Sequence, residues 1–228
     1  AWSDYFIPKN INLDDYIGIA WTGSILNIYD MSAPIVRQIE LAKTLLTKKN
    51  VIFGSCWGLQ VLTTALGGRV RKNPKGLEAV IARDIKINNK GVNHQMYEGK
   101  PEIFDAFCWH YDEVEELPAN SVILSSNNKS NIQSLFLKNN QSEVWAVQYH
   151  PEFDPVWMSG LMNQRKSILI KDGIYNSESQ FNNYKNYFED IEKYKSKKNK
   201  LLISESLINE NIRIIELSNW IKKIKNIV

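Results

Sequence analysis

Short apolar runs alternate with amphipathic segments along the first part of the chain. Residues 16–20 form an apolar run that ends at a turn signal, and residues 51–53 form a second candidate for a buried strand. Between them, residues 33–49 carry apolar positions at helical spacing behind Pro34. Residues 57–66 predict a further helix, closed by two glycines. This alternation is typical of an α/β protein with a mostly parallel, open sheet flanked by helices.

The pattern changes twice further along the chain. Residues 78–137 are richer in strand-like than in helix-like segments, which predicts an antiparallel extension of the sheet. The further strand candidates are residues 78–87, 121–125, 132–137 and 144–149. After Pro155 the composition favours helices, over residues 156–172, 180–195 and 211–227. We therefore expect an α/β domain over residues 1–155 and a C-terminal helical extension over residues 156–228 that packs on it.

Composition places the chain among ordinary globular proteins. Its 228 residues are 43% hydrophobic and 23% charged, which excludes a disordered, collagen-like or coiled-coil chain. The 28 basic and 25 acidic residues are too balanced to indicate nucleic-acid binding, and the basic run at residues 195–200 is interpreted as a solvated linker. No apolar run approaches the roughly 18 to 20 residues needed to cross a bilayer. We expect neither a nucleic-acid nor a membrane partner.

Cysteine usage bears on location. Two cysteines cannot form a disulfide framework, and no signal segment opens the sequence, so a cytoplasmic location is expected.

One of the two cysteines lies at a turn from a strand into a helix. Cys56 stands within the segment FGSCWGLQ, residues 53–60. A nucleophile on such a sharp turn is held at the carboxyl edge of a sheet, and Gly54 and Gly58 let the backbone turn and a substrate approach. The helix N-terminus also favours a thiolate. The alternative is a buried structural cysteine, and this segment alone does not decide between the two.

A second segment offers the base that a cysteine nucleophile needs. Residues 144–152, VWAVQYHPE, predict a strand that ends at His150. Because Pro151 cannot continue the hydrogen bonding of a strand, the chain turns there, and Glu152 can fold back toward the imidazole. A base with an orienting carboxylate is the arrangement that activates a thiol.

Together the two segments resemble the class I (triad) glutamine amidotransferases. In that family the nucleophile turn reads Gly-x-Cys-x-Gly-x-Gln and the histidine strand ends in His-Pro-Glu, and the 94-residue separation of Cys56 and His150 suits it. The resemblance covers roughly residues 15–152 and is strongest to the glutaminase portion of GMP synthase. The helical tail is similar to that of stand-alone GMP-synthase-like amidotransferases of bacteria. The resemblance implies a flavodoxin-like fold and a cysteine-nucleophile amidohydrolase.

The resemblance also implies a role for each catalytic residue. Cys56 would attack the γ-carboxamide carbon of glutamine, and the γ-glutamyl thioester would then be hydrolysed to glutamate. His150 would move the protons, and Glu152 would fix its tautomer. One oxyanion donor would be the backbone N–H of Trp57.

The second oxyanion donor and the substrate contacts rest on the same resemblance. The donor would be Gly23 or Ser24, in a loop where relatives carry a Gly-Gly-Pro-like sequence and this chain has Gly-Ser-Ile. The loop around residues 109–113 resembles the family's Ser-His-Gly-Asp loop, with a tyrosine in place of the glycine. The implied substrate-binding residues are Gln60, Gly58, His110 and Asp112.

Two departures from the family concern the rest of the chain. The family's first strand and helix should precede residues 16–20, yet the sequence starts at Ala1 rather than Met. We expect either a trimmed N-terminus or a remnant of that strand at residues 1–8. No ATP-binding Gly-rich loop follows the catalytic motifs in this sequence, so the synthetase half of GMP synthase is not seen in it.

Three hypotheses for the function stay open at this stage. The first is a glutaminase whose ammonia passes to a separate synthetase or acceptor subunit. The second is a free-standing γ-glutamyl hydrolase or peptidase, in which Trp21, Trp57 and Trp109 either line a pocket for a larger leaving group or simply pack in the core. The third is a binding or regulatory module with a dead site, which the intact triad disfavours.

The remaining candidate residues have structural interpretations. Cys108 is expected in the core, and His94 in a loop. No His, Cys or Asp cluster has metal-ligand spacing, so no metal is expected, and thioester chemistry needs no cofactor.

Overall fold

A seven-stranded sheet lies at the centre of the protein, in a computed structural model that describes residues 11–139 and 141–227. In chain order, the strands of these residues are β1 (Gly18–Trp21), β2 (Val51–Ser55), β3 (Arg69–Lys72), β4 (Glu78–Ile87), β5 (Ile103–His110), β6 (Asp112–Glu116), β7 (Ser121–Ser126), β8 (Ser134–Lys138) and β9 (Glu143–Val147). The order across the large sheet is β1-β2-β9-β8-β7-β4-β5, and β3 and β6 form a separate antiparallel pair.

The direction of the strands changes across the large sheet. β1, β2 and β9 run parallel, whereas the pairings from β9 and β8 through to β4 and β5 are antiparallel. β2 and β9 are buried at every residue, as expected of strands covered on both faces. The α/β class is confirmed in a mixed sheet, and its antiparallel part falls in the predicted region. The hydrophobic pattern does not predict β3, β5 or β6.

Two helices cover one face of the parallel strands. α1 (Ala33–Leu45) carries Pro34 in its first turn, where a missing N–H costs nothing, and α2 (Trp57–Ala65) begins two residues after β2. Their apolar faces and the strands share one core, which includes Ile35, Ile39, Leu59, Leu62, Ile52 and Val144. This packing fixes the start of α2 at the carboxyl edge of the sheet.

The later part of the chain is helical, as predicted, but in shorter pieces. After the one-turn α3 (Asn89–Val92), the helices are α4 (Pro155–Gln164), α5 (Lys166–Lys171), α6 (Glu178–Glu189), α7 (Ile191–Tyr194), α8 (Glu205–Ile208), α9 (Glu210–Arg213) and α10 (Ile215–Lys225). Each of the three long predicted helices is interrupted once. Asp190 shows why: its extended backbone ends α6, and its side chain accepts from the N–H of Lys193 to cap α7.

Helix α10 covers the sheet on the face opposite to α1 and α2. Leu217 and Trp220 pack against the core cluster that contains Phe53 and Trp145, and the indole N–H of Trp220 donates to the carbonyl of Val51 at 3.1 Å. In the described ranges, no helix combines the length and apolarity needed to cross a membrane. The division at residue 155 stays a prediction, and the expected strand remnant at residues 1–8 lies outside the described residues.

Candidate active site

Cys56 occupies the sharp turn between β2 and α2. Its backbone has φ 52° and ψ −101°, a conformation that is strained for a residue with a side chain. Its N–H donates to the carbonyl of Val147 on β9 at 2.8 Å, which holds the turn against the central strands. The residue is 4% exposed. The sequence prediction of a nucleophile turn therefore corresponds to a real irregularity of the backbone.

The two glycines beside Cys56 are required by close backbone contacts. A Cβ on Gly58 would lie 2.2 Å from the carbonyl oxygen of Trp21, and one on Gly54 would lie 2.8 Å from the carbonyl carbon of Gly58. The space beside Gly58 is thus filled by the end of β1. Both glycines allow β1, β2 and α2 to converge at the turn.

His150 and Glu152 meet the turn from the end of β9. The imidazole Nδ1 lies 2.7 Å from Oε1 of Glu152, so Nε2 is the nitrogen left for Cys56. The main-chain N–H of His150 donates to the carbonyl of Phe107 at 2.8 Å, which ties the segment to β5. The structure thereby brings together the three residues that the two motifs indicate.

Ser55 contacts two of the candidate catalytic residues, and the sequence motifs do not identify it. Its hydroxyl lies 2.8 Å and 3.0 Å from the two carboxylate oxygens of Glu152, to which it donates. The side chain of Glu152 is 28% exposed, so it could otherwise turn toward solvent. The hydrogen bond from Ser55 helps to hold its carboxylate beside His150. A small polar residue just before the nucleophile, at the end of a strand, is the only sequence signal for this contact.

The charges of the site favour an ion pair. Burial alone would lower the pKa of His150, but the adjacent Cys56 and Glu152 overcome this and raise it to about 10. Burial raises the pKa of Glu152, yet its hydrogen bonds to His150 and Ser55 outweigh that and leave it lowered. These shifts favour an imidazolium on His150 paired with the carboxylate of Glu152.

Aromatic side chains cover one face of the His150 imidazole. The ring of Phe153 stacks on His150 with a centroid distance of 3.8 Å and an interplanar angle of 4°. Trp157 lies against Phe153 at 3.8 Å and is 48% exposed. On another side, a Cβ on Gly23 would lie 2.7 Å from Cε1 of His150, so the loop after β1 also touches the ring.

The oxyanion candidates flank this pair. As the first residue of α2, Trp57 has a backbone N–H without an acceptor inside the helix, whereas its indole is buried and donates to Gln38 at 2.8 Å. The Trp57 side chain therefore packs in the core. Ser24 bends the opposite loop by accepting from the N–H of Leu26 at 3.3 Å, and Gly23 lies against His150. The choice between Gly23 and Ser24 stays a prediction.

Both ring nitrogens of His110 have partners within the protein. Nδ1 lies 2.8 Å from the carbonyl of Asp112, and Nε2 lies 2.9 Å from Oε2 of Glu78. Burial raises the pKa of Glu78, but its bonds to His110, Asn127 and Gln133 outweigh this and lower it. These contacts fix the position of His110 in the loop, and its contact with a substrate stays a prediction.

The other implied substrate contacts lie around this loop. The carbonyl of Trp109 receives a weak contact from Sγ of Cys56 at 3.7 Å. Asp112 accepts from the hydroxyl of Tyr29 at 3.1 Å, and burial raises its pKa. Gln60 is buried one turn along α2, where its N–H donates to the carbonyl of Cys56 at 3.2 Å. Contact of any of these residues with a substrate stays a prediction.

The two remaining candidates have structural settings. Cys108 is fully buried, and burial raises the pKa of its thiol well above the ordinary value. His94 accepts from the N–H of Met96 at 3.1 Å and contacts the ring of Phe136. Within the described ranges, no three His, Cys, Asp or Glu side chains are grouped as metal ligands.

Comparisons with known proteins agree on one family. The model of the glutamine amidotransferase class-I family matches residues 13–164. A γ-glutamyl-L-1-hydroxyisopropylamide hydrolase of Pseudomonas is 34% identical over 166 residues, which are 72% of this chain and 56% of that protein. γ-Glutamyl peptidase 5 of Arabidopsis thaliana is 29% identical over 64% of this chain and 58% of its own length. A GMP synthase of Thermosipho melanesiensis is 28% identical over 59% of this chain and 24% of its length.

Solved structures show the same fold. A glutamine amidotransferase of Thermotoga maritima superposes with a TM-score of 0.70 at 18% identity, over 94% of this chain and 80% of that one. One from Methylobacillus flagellatus gives a TM-score of 0.65, also at 18% identity and over 94% and 80% of the two chains. The chain spans less than three fifths of the length of the three curated relatives above, by the shares of 56%, 58% and 24%.

Proposed function

Because the chain belongs to the class I glutamine amidotransferase family, we propose that it hydrolyses the γ-amide of glutamine through a thioester on Cys56. The observation that carries this proposal is the convergence of Cys56, His150 and Glu152 at one strained turn, with Nδ1 of His150 2.7 Å from the carboxylate. A nucleophile, a base and an orienting group are the three parts that acyl transfer through a cysteine needs.

Acylation uses the ion pair. The thiolate of Cys56 attacks the γ-carbonyl carbon, a C–S bond forms, and the carbonyl π electrons move to oxygen. The imidazolium of His150 then gives its Nε2 proton to the amide nitrogen, the C–N bond breaks, and ammonia leaves. The γ-glutamyl thioester and a neutral imidazole remain.

Deacylation restores the starting state. The neutral imidazole takes a proton from water while the water oxygen attacks the thioester carbon. The C–S bond breaks, glutamate leaves, and Cys56 is again a thiolate beside an imidazolium. Glu152 keeps the same ring nitrogen facing the reaction in both steps. The N–H of Trp57, with one from Gly23 or Ser24, is the proposed donor pair for the oxyanion in each tetrahedral intermediate.

The ammonia released by this reaction could be used by a second protein. We propose that it passes to a separate synthetase or acceptor subunit, in line with the GMP synthases among the relatives. A cytoplasmic location and the absence of nucleic-acid and membrane partners stay predictions from the sequence.

A second candidate is the hydrolysis of a γ-glutamyl amide or peptide whose leaving group is a larger amine. The observation that favours it is the aromatic ledge beside the proton donor: Phe153 stacks on His150 at 3.8 Å, and Trp157 extends the stack to solvent. Ile25, two residues after Gly23 in the loop after β1, is 88% exposed. An apolar substituent on the leaving nitrogen would bury this surface. The relatives named as γ-glutamyl hydrolase and peptidase support the same choice.

One assay separates the two candidates. Purified protein is given glutamine, γ-glutamyl methylamide, γ-glutamyl isopropylamide and a γ-glutamyl dipeptide, and glutamate release is measured. A kcat/KM for glutamine above that of every other substrate supports the glutaminase. Turnover of the larger amides at rates far above glutamine would overturn it in favour of the second candidate.

The two cysteines supply a matched control. Cys56→Ala removes the nucleophile, so glutamate release should fall to background with every substrate. Cys108→Ala changes a fully buried thiol outside the triad and should keep the wild-type rate. No turnover of any substrate, together with no alkylation of Cys56 by a glutamine-mimicking reagent, would reject both enzymatic candidates.

A further inference from the structure

A buried glutamate on helix α10 contacts both a lysine and Tyr149, the residue that precedes His150. The Glu216 side chain on α10 is fully buried. Its Oε1 accepts from the hydroxyl of Tyr149 at 2.6 Å, and its Oε2 lies 2.9 Å from Nζ of Lys100. The C-terminal helix is therefore joined by side-chain hydrogen bonds to the strand end that carries the catalytic base.

The partners of Lys100 make this contact rigid. Besides Glu216, its ammonium donates to the carbonyls of Ile212 at 2.9 Å and Arg213 at 3.3 Å, and only 1% of its side chain is exposed. All three of its protons thus have acceptors. A buried charge pair is tolerated only when its hydrogen bonds are satisfied in this way, so the position of Glu216 is closely fixed.

Tyr149 transmits that position to the catalytic site. It is covalently joined to His150, and its own carbonyl lies 3.4 Å from the hydroxyl oxygen of Ser55, which is in turn 2.8 Å from Oε1 of Glu152. Its ring is fully buried beside Phe104, at a centroid distance of 5.5 Å. A shift of the Tyr149 ring would therefore move the main chain on which the imidazole is mounted.

We propose that Glu216 is a positioning residue for His150 and that it acts through the hydroxyl of Tyr149. The helical extension then has a part in the reaction, because α10 supplies the acceptor that holds the base in register with Cys56. Small displacements of a catalytic group cost far more in rate than in substrate binding. The kinetic consequence rests on the proposed γ-glutamyl hydrolysis, whereas the positioning itself does not.

The test removes one hydroxyl and keeps the ring. In Tyr149→Phe the packing against Phe104 remains, but Glu216 loses its link to the catalytic segment. We expect kcat with the best substrate to fall about tenfold while KM stays within twofold. An unchanged kcat in a folded Tyr149→Phe protein would overturn the proposal.

Two further variants separate positioning from stability. Tyr97→Phe removes a phenol hydroxyl that lies 2.9 Å from that of Tyr149, yet leaves the bond from Tyr149 to Glu216 in place. It should lower the melting temperature and keep kcat. Glu216→Gln retains an oxygen that accepts from Tyr149 but loses the charge facing Lys100, so it should be less stable and keep kcat within threefold, whereas Glu216→Leu should match Tyr149→Phe. A loss of kcat that follows melting temperature across all four variants would reduce Glu216 to a structural role.

A substrate-free measurement distinguishes this proposal from the proposed function. The rate of Cys56 alkylation by iodoacetamide at fixed pH reports on the Cys56–His150 pair, and Cys56→Ala gives the blank because the chain has 2 cysteines. Tyr149→Phe should slow alkylation several-fold, and Tyr97→Phe should not. If the wild-type protein hydrolyses no γ-glutamyl compound and this difference persists, the proposed function fails and the positioning role stands. If alkylation is equal in both variants, the positioning role fails.

Discussion

The protonation state of His150 depends on its immediate neighbours more than on its burial. An imidazole removed from water normally loses its proton more easily, yet Cys56 and Glu152 raise the pKa of His150 to about 10. The strained backbone of Cys56 and the turn at Pro151 bring these groups to the ring from two different strands. Their proximity is what raises the pKa of His150 against the effect of its burial.

This arrangement predicts a pH dependence for His150. In the wild-type protein its ring should stay protonated at pH 8 and lose its proton as the pH rises through about 10. Since this pKa exceeds the ordinary 6.5, its contribution to the free energy of unfolding is complete below about pH 6.5 and is lost as the pH rises through about 10. Cys56→Ala removes the largest stabilising neighbour, so its titration should move to lower pH.

NMR of the ring resonances measures this titration directly, because the chain contains 3 histidines. Cys108→Ala, which alters a thiol away from the ring, should leave the His150 titration where it is. The same midpoint in the wild-type and Cys56→Ala proteins would show that Cys56 does not raise the pKa of His150.

The carboxylate and the hydroxyl that support His150 should differ in their importance. Glu152→Gln removes the charge that orients the imidazolium, and we expect kcat to fall on the order of 10² to 10⁴. Ser55→Ala keeps the carboxylate of Glu152 but removes the hydroxyl that lies 2.8 Å and 3.0 Å from its two oxygens. We expect kcat to fall about three- to tenfold. Steady-state kinetics on both variants checks the order.

Ser142→Ala is the matched control for that comparison. Its hydroxyl is similarly buried and donates to the carbonyl of Leu46 at 3.2 Å, at the opposite end of β9 from His150. It should retain wild-type kcat. A Ser55→Ala protein as active as this control would mean that Glu152 needs no second partner.

Also at the residue scale, the sequence predicts site residues that lie within a recognisable motif. It does not predict residues whose contacts depend on a partner far away in the sequence. Cys56, His150 and Glu152 stand in two short segments whose chemistry can be inferred locally. Glu78 and Glu216 cannot be found in that way. Their partners, His110 and Tyr149, lie 32 and 67 residues away, and only the fold brings them together.

At the scale of elements, the hydrophobic pattern predicts those strands and helices whose buried positions follow a regular spacing. β4 spans the predicted residues 78–87, and α1 and α2 start at the predicted residues 33 and 57. β5 is missed, although six of its eight residues are buried. The long predicted helices break at Arg165, Asp190 and Ile214. At Asp190 the side chain caps the next helix, which periodicity does not predict.

The close contact between Gly58 of α2 and the carbonyl of Trp21 on β1 predicts the effect of a larger residue at position 58. Gly58→Ala would direct its Cβ to within 2.2 Å of the Trp21 carbonyl, so β1 or α2 must shift. We expect a loss of about 2 kcal/mol or more in the free energy of unfolding, with a loss of activity, because the turn at Cys56 moves with α2. Urea denaturation and an activity assay measure the two effects.

Gly160 in α4 is the matched control for this change. A Cβ there meets nothing within 4 Å, and alanine favours a helix, so Gly160→Ala should be neutral or stabilising by up to about 1 kcal/mol. Equal effects of the two substitutions would indicate that the contact between Gly58 and Trp21 is not tight.

At the scale of the whole molecule, the sheet is covered on both faces by elements far apart in the sequence. α1 and α2 pack on one face, and α10, from the end of the chain, packs on the other. Alternating strands and helices predict the first layer. The second layer cannot be predicted from periodicity, because nothing in the α10 sequence specifies which surface its Leu217 and Trp220 cover.

Substitutions of two lysines test how much the packing of α10 contributes to the stability of the protein. Lys100 and Lys222 each form an ion pair between α10 and the segment at residues 95–100, but the first pair is 1% and 0% exposed and the second is 63% and 65% exposed. Lys100→Met would leave the carboxylate of Glu216 buried without its counter-ion, and we expect a loss of about 3–5 kcal/mol in the free energy of unfolding. Lys222→Met gives up a solvated pair with Glu98 worth about 0–1 kcal/mol. Urea denaturation of both variants checks the difference, and a Lys100→Met protein as stable as Lys222→Met would mean that α10 is a loosely attached tail.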